Sequence, residues 1–81
     1  MTEITHRRLL AKALQFEKLY RRVSGKAVTV EFGEDAPDNF FVTIRKNYPD
    51  GTPNNYHTEF PALASLEDYF NQKITLFKGM R

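Results

Sequence analysis

The chain contains no cysteine and no tryptophan. Without cysteine there is no disulfide framework, no thiolate nucleophile and no cysteine-ligated zinc or iron–sulfur site. No apolar run approaches the roughly 20 residues of a membrane-spanning helix, and the N-terminal segment has no continuous apolar core of the signal-peptide kind. These absences predict a cytoplasmic protein that contacts no membrane.

Motifs that carry chemistry are equally sparse. The four glycines are isolated in the sequence, so no glycine-rich phosphate loop is present. His6 and His57 fall in different predicted elements and lack acidic partners at metal-ligand spacing. The acidic segment 33–39 lacks the alternating ligands of a calcium loop, and neither Ser24 nor Ser65 has the context of a catalytic serine. We therefore expect no enzyme activity, no metal and no cofactor.

Charge is present in quantity but is unevenly spread. Residues 1–26 contain seven basic and two acidic side chains, whereas residues 27–72 contain two basic and eight acidic ones. The last nine residues return to positive charge with Lys73, Lys78 and Arg81. The small net charge of +2 therefore belongs to a dipolar protein, and charge asymmetry of this kind steers and orients partners.

Hydrophobic periodicity predicts a helix at the N-terminus. Apolar residues recur there at alternating steps of four and three: Leu9, Ala13, Phe16, Tyr20 and Val23. Thr2 is the expected N-cap, and Gly25 is the expected stop. Arg7, Lys18 and Arg22 then project from the side of the helix opposite the apolar stripe.

The rest of the chain predicts three strands and a second helix. Residues 28–32 and 40–45 alternate as half-buried strands do, separated by an acidic loop over 34–39. A turn over 48–55 leads to a third strand over 56–60, and Ser65 with Asp68 resembles a capping box for a helix that ends near Gly79. We expect one α+β domain over residues 1–81, an α-β-β-β-α two-layer sandwich whose antiparallel meander carries both helices on one face. A chain of this length is marginally stable alone, so homodimerisation is a further possibility.

Two surfaces emerge as candidates for binding a partner. The first is the basic back of the first helix, formed by Arg7, Arg8, Lys18, Arg21 and Arg22. Such a surface suits phosphates or an acidic protein, and it also fits a merely solvated helix face. The second is the open sheet face, the side of the sheet away from the helices, where Phe41 is a large aromatic among polar residues that include Arg45. Phe41 fits an interface anchor, while the charged neighbours also fit simple cross-strand pairs.

The order of helix, three strands and helix resembles that of the double-stranded RNA-binding domain over most of the chain. That family places a lysine cluster at the start of its second helix, where this chain has Ser65, Leu66, Glu67 and Asp68. The family's RNA-binding residues are therefore not carried over. The order of elements also resembles that of some small phage proteins, which inhibit bacterial defence nucleases by occupying their nucleic-acid channels.

The sequence thus predicts a small non-enzymatic interaction module, phage-like or encoded by a mobile element, that modulates or inhibits a host protein. The expected partner is a protein with an acidic surface or one that itself binds nucleic acid. The alternative is direct nucleic-acid binding through phosphate contacts made by the first helix. Of the two surfaces, the sequence slightly favours the helix.

Overall fold

A computed structural model describes residues 2–47 and 53–80 of the chain. The elements follow the order α1 (Glu3–Ser24), β1 (Ala27–Ala36), β2 (Asn39–Asn47), β3 (Pro53–Phe60) and α2 (Leu63–Lys78). The strands form one antiparallel sheet in the order β1-β2-β3. The predicted α-β-β-β-α order and the three-stranded meander are confirmed.

Both ends of α1 are where the sequence predicts them. The Thr2 hydroxyl oxygen accepts a hydrogen bond from the Thr5 amide at 3.2 Å, which satisfies one of the unpaired donors of the first turn. Gly25 has a φ of +69° and donates its amide to the Arg21 carbonyl at 2.9 Å. A left-handed residue here favours glycine because a side chain would strain it.

The core lies between the sheet and the two helices, which occupy the same sheet face. α1 packs on β1, α2 packs on β2 and β3, and the helices also contact each other. The sheet buries alternate residues because successive strand side chains point to opposite faces. The core consists of Leu9, Ala13, Phe16, Val28, Phe40, Val42, Ile44, Leu66, Phe70 and Ile74.

The predicted acidic loop over 34–39 is wrong, because the strands continue through most of it. β1 extends to Ala36 and β2 begins at Asn39, so Pro37 and Asp38 alone connect them. Asp38 has a φ of +60°, which aspartate tolerates better than most residues. The pairing shifts between Glu34 and Ala36, so a bulge absorbs the extra residue and permits the tight connection.

The third strand also begins earlier than predicted. Asn54 and Asn55, which the sequence assigns to a turn, pair with Lys46 and Arg45 of β2. Pairing with a formed neighbouring strand outweighs the low strand preference of asparagine. The rest of the predicted turn, residues 48–52, lies outside the described residues.

The predicted capping box of α2 is wrong. The helix begins at Leu63 after an extended Ala62, which provides no side-chain cap, and Ser65 already lies in the first turn. The earlier start places Leu63 against the core, one turn before Leu66 on the same helix face. The earlier start thus adds one partly buried apolar side chain to the core side of α2. Its predicted end at Gly79 is confirmed.

Candidate interaction surfaces

The open sheet face is built by strand alternation. Phe40, Val42 and Ile44 of β2 point to the helices, so Phe41 and Thr43 point the opposite way. The register places Gly33 of β1 on one side of Phe41 and Glu59 of β3 on the other. Phe41 therefore lies on the central strand, in the middle of the face, as the sequence predicts.

Contacts within the chain hold the Phe41 ring in place. The ring lies over Gly33, where a Cβ atom would meet its Cε1 and Cζ atoms at 3.0 Å. The other neighbour is His57, whose ring stacks on that of Phe41 with centroids 5.7 Å apart and an interplanar angle of 27°. Phe41 remains partly exposed. Gly33 leaves room for the ring beside the β1 backbone, and the His57 ring stacks next to it.

Polar pairs surround this aromatic centre. Thr43 Oγ1 and His57 Nδ1 share a hydrogen bond of 2.9 Å, and Arg45 lies 3.3 Å from the Glu31 carboxylate. About half of each side chain of the Arg45–Glu31 pair is exposed, so the pair contributes little to stability. The predicted cross-strand pairing of Arg45 is confirmed, and Arg45 belongs to the rim of the open sheet face.

Of the five cationic side chains proposed as a binding surface on α1, three form hydrogen bonds or ion pairs with other residues of the chain. Arg8 Nε donates to Glu67 of α2 at 2.7 Å, and Arg21 Nε donates to the Val28 carbonyl at 2.7 Å. Arg7 pairs with Glu3 one turn away, with both side chains largely exposed. Arg8 and Arg21 therefore join α1 to its neighbours, whereas Arg7 stays on the solvent side.

Lys18 and Arg22 are the two remaining cations of this set. Both are exposed, and no carboxylate among residues 2–47 and 53–80 lies within the 4.0 Å ion-pair distance of either side chain. They lie four residues apart, which places them on one side of α1. The basic back of the first helix is thus narrower than the sequence predicts.

Glu17 has a role that the sequence pattern does not predict. Its carboxylate accepts a hydrogen bond of 3.0 Å from the Val30 amide, and the side chain is only 17% exposed. Val30 and Val28 belong to the edge strand β1, and Arg21 covers the Val28 carbonyl. Glu17 and Arg21 therefore cover part of an edge that would otherwise offer free backbone groups to another strand. The one sign of this role in the sequence is that Glu17 is an acidic residue next to the apolar stripe of α1.

A cleft between the helices and the end of the sheet was also missed. Its volume is about 330 Å³, and its walls include Phe16, Tyr20, Tyr69 and Phe77. Burial raises the pKa of Tyr69 to about 12, with smaller contributions from Tyr56 and Tyr20. Tyr56 occupies the inward row of β3, yet it is 51% exposed because it lies at this open end.

Two lysines complete the cleft. Lys46 Nζ lies 5.0 Å from the centroid of the Tyr20 ring, and Lys73 Nζ lies 5.6 Å from that of Tyr69. Lys73 falls inside the apolar arc of α2, where the stem of a lysine usually packs while its ammonium group reaches water. Lys46 is likewise a lysine on the apolar side of its element, since it continues the inward row of Phe40, Val42 and Ile44. The pattern of one strand does not show, however, that two such lysines meet at one cleft.

Other kinds of site receive no support from the described part of the chain. Within residues 2–47 and 53–80, no three histidine or acidic side chains are grouped as metal ligands would be. Neither described helix has the length and apolar character needed to cross a membrane.

Comparison of the chain with protein-family models, with curated proteins and with solved structures finds no match.

Proposed function

We propose that this chain is a small non-enzymatic interaction module that binds a protein partner through the open sheet face. The observation that carries the proposal is the position of Phe41, a partly exposed aromatic ring at the centre of a face that no other described element covers. Aromatic residues, phenylalanine among them, are enriched in the buried centre of protein interfaces, and the residues that dominate binding energy cluster there.

The contacts of this ring within the chain favour binding. Association costs free energy when side chains must be ordered, and the contacts with Gly33 and His57 reduce the ordering that the Phe41 ring still needs. The rim contains Glu31, Arg45 and Glu59, so both signs of charge surround an apolar centre. A matching partner has an apolar pocket for the ring and a rim of mixed charge.

The small size and the charge dipole fit a protein that acts by occupying a surface of its partner. A modulator or inhibitor of a host protein, encoded by a phage or another mobile element, acts in this way. The engagement of Arg8 and Arg21 within the chain is the reason to favour the open sheet face over the basic back of the first helix.

Phe41→Ala is expected to weaken partner binding by roughly 30-fold, since it removes the central apolar anchor. The effect should change little between low and high salt, because no charge is lost. Affinity capture with purified wild-type and variant baits, followed by titration of the retained protein, measures both quantities. Melting curves check that the variant remains folded.

A matched control and a competing variant make this test decisive. Leu76→Ala removes another exposed apolar side chain, on α2, and should leave binding unchanged. Replacing Arg7, Lys18 and Arg22 together by glutamate should change binding less than threefold if the sheet face is the site. Strong loss in the triple variant with normal binding by Phe41→Ala would assign the function to the helix instead.

A second candidate function is nucleic-acid binding by the basic back of the first helix. The observation in its favour is that Arg7, Lys18 and Arg22 lie on the solvent side of α1, within about 22 Å along the helix axis. Three phosphate contacts predict that log affinity falls with log salt at a slope of about −2 to −3. Mobility shifts on generic DNA and RNA test this, and the absence of a shift at low salt would exclude it.

A further inference from the structure

The cleft at the end of the sandwich combines stacked aromatic rings with two ammonium groups. The Phe16 and Phe77 rings stack at 5.4 Å between centroids and 20° between planes, and Tyr20 meets Phe77 edge to face at 5.0 Å. The volume of about 330 Å³ lies at the lower end of the range for small-molecule sites. The shape and the wall therefore suit a small flat molecule.

The two lysines make the cleft positive. Lys46 and Lys73 reach it from opposite layers, one from the inward row of β2 and the other from the core side of α2. Among residues 2–47 and 53–80, no carboxylate lies within the 4.0 Å ion-pair distance of either ammonium group. An anion bound in the cleft is attracted by both ammonium groups.

The aromatic rings and the cations are already arranged together. Lys46 lies over Tyr20 and Lys73 lies over Tyr69, so each ammonium group is held beside the wall by a cation–π contact. A ligand that stacks on these rings brings its own substituents next to the ammonium groups. An anionic substituent then gains charge-assisted hydrogen bonds that a neutral one cannot make.

We propose that this cleft binds a planar aromatic anion with a single ring or with two fused rings. The ring stacks against the aromatic wall, and the anionic group lies between Lys46 and Lys73. The site is on the helix side of the sheet, so it is separate from the open sheet face and its occupancy does not depend on the proposed partner-binding function.

Naphthalene-2-carboxylate is a suitable probe, and amide NMR titration of the isotope-labelled protein gives both the binding site and the affinity. We expect saturable binding that perturbs signals of Tyr20, Lys46 and Lys73. The neutral naphthalene-2-methanol and the saturated decahydronaphthalene-2-carboxylate should each bind at least tenfold more weakly, because one lacks the charge and the other lacks the flat ring.

Lys46→Met and Lys73→Met each retain an apolar stem and remove one charge, so both should remain folded. Each is expected to weaken naphthalene-2-carboxylate binding by roughly tenfold. Lys18→Met, which removes an exposed lysine elsewhere, is the matched control and should bind as the wild type does. Absence of saturable binding, equal affinity for the neutral alcohol, or unchanged affinity in both cleft variants would overturn the proposal.

Discussion

Replacing Phe70 with alanine is expected to lower the free energy of unfolding by about 3–5 kcal/mol. Phe70 has no exposed surface, and its ring contacts those of Phe16 on α1 and Phe32 on β1, with centroids 6.3 and 5.8 Å apart. The substitution therefore opens a cavity where both helices and the sheet meet. For a domain of this size, with total stability on the order of 5 kcal/mol, the variant should be largely unfolded.

Urea denaturation followed by circular dichroism measures this loss. Leu76→Ala is the matched control, because Leu76 is a large apolar residue of the same helix but is 50% exposed. Its cost should stay within about 0.5 kcal/mol, as for most surface substitutions. A loss below about 1 kcal/mol for Phe70→Ala would contradict the packing described for α2.

Glu17→Ala is expected to cost about 1–3 kcal/mol, which is large for a substitution of a charged residue on a helix. The variant loses the 3.0 Å hydrogen bond from the Val30 amide and leaves that donor without its partner at the sheet edge. It also removes the carboxylate 3.9 Å from Arg21. Thermal and urea unfolding measure the change in stability.

Glu3→Ala provides a stringent comparison. Glu3 also pairs with an arginine four residues later on α1, but its side chain is 78% exposed and its bond is to the similarly exposed Arg7. Exposed helix pairs contribute about 0.3–0.5 kcal/mol, so Glu3→Ala should cost less than about 1 kcal/mol even with its effect on the helix dipole. Equal losses for the two variants would show that Glu17 acts only as a surface charge.

Hydrophobic periodicity made the order of the elements and the buried face of each one predictable from the sequence. The steps of four and three along α1 and the alternation in β1 and β2 select one buried face for each element, and hydrophobic burial enforces that choice. Boundaries at Glu34 to Asn39 and at Ser65 were mispredicted for a common reason. Local turn and cap signals there are weaker than strand pairing or the burial of Leu63.

The candidate surfaces were only partly predictable. Alternation alone placed Phe41 on the open sheet face, but its contact with Gly33 depends on cross-strand register. Arg8 meets Glu67 across 59 residues of sequence, so no local pattern distinguishes it from the solvent-facing Arg22. Sequence spacing reports which side of an element a residue occupies, whereas these partners depend on how elements pack.

The central functional claim is that a protein partner covers Phe41 on the open sheet face. Amide and side-chain NMR of the labelled protein, recorded with and without the captured partner, tests it most directly. We expect the signals of Phe41, Thr43 and His57 to change on binding, while those of Lys18 and Arg22 stay where they are. Changes confined to Lys18, Arg22 and their neighbours on α1 would contradict it.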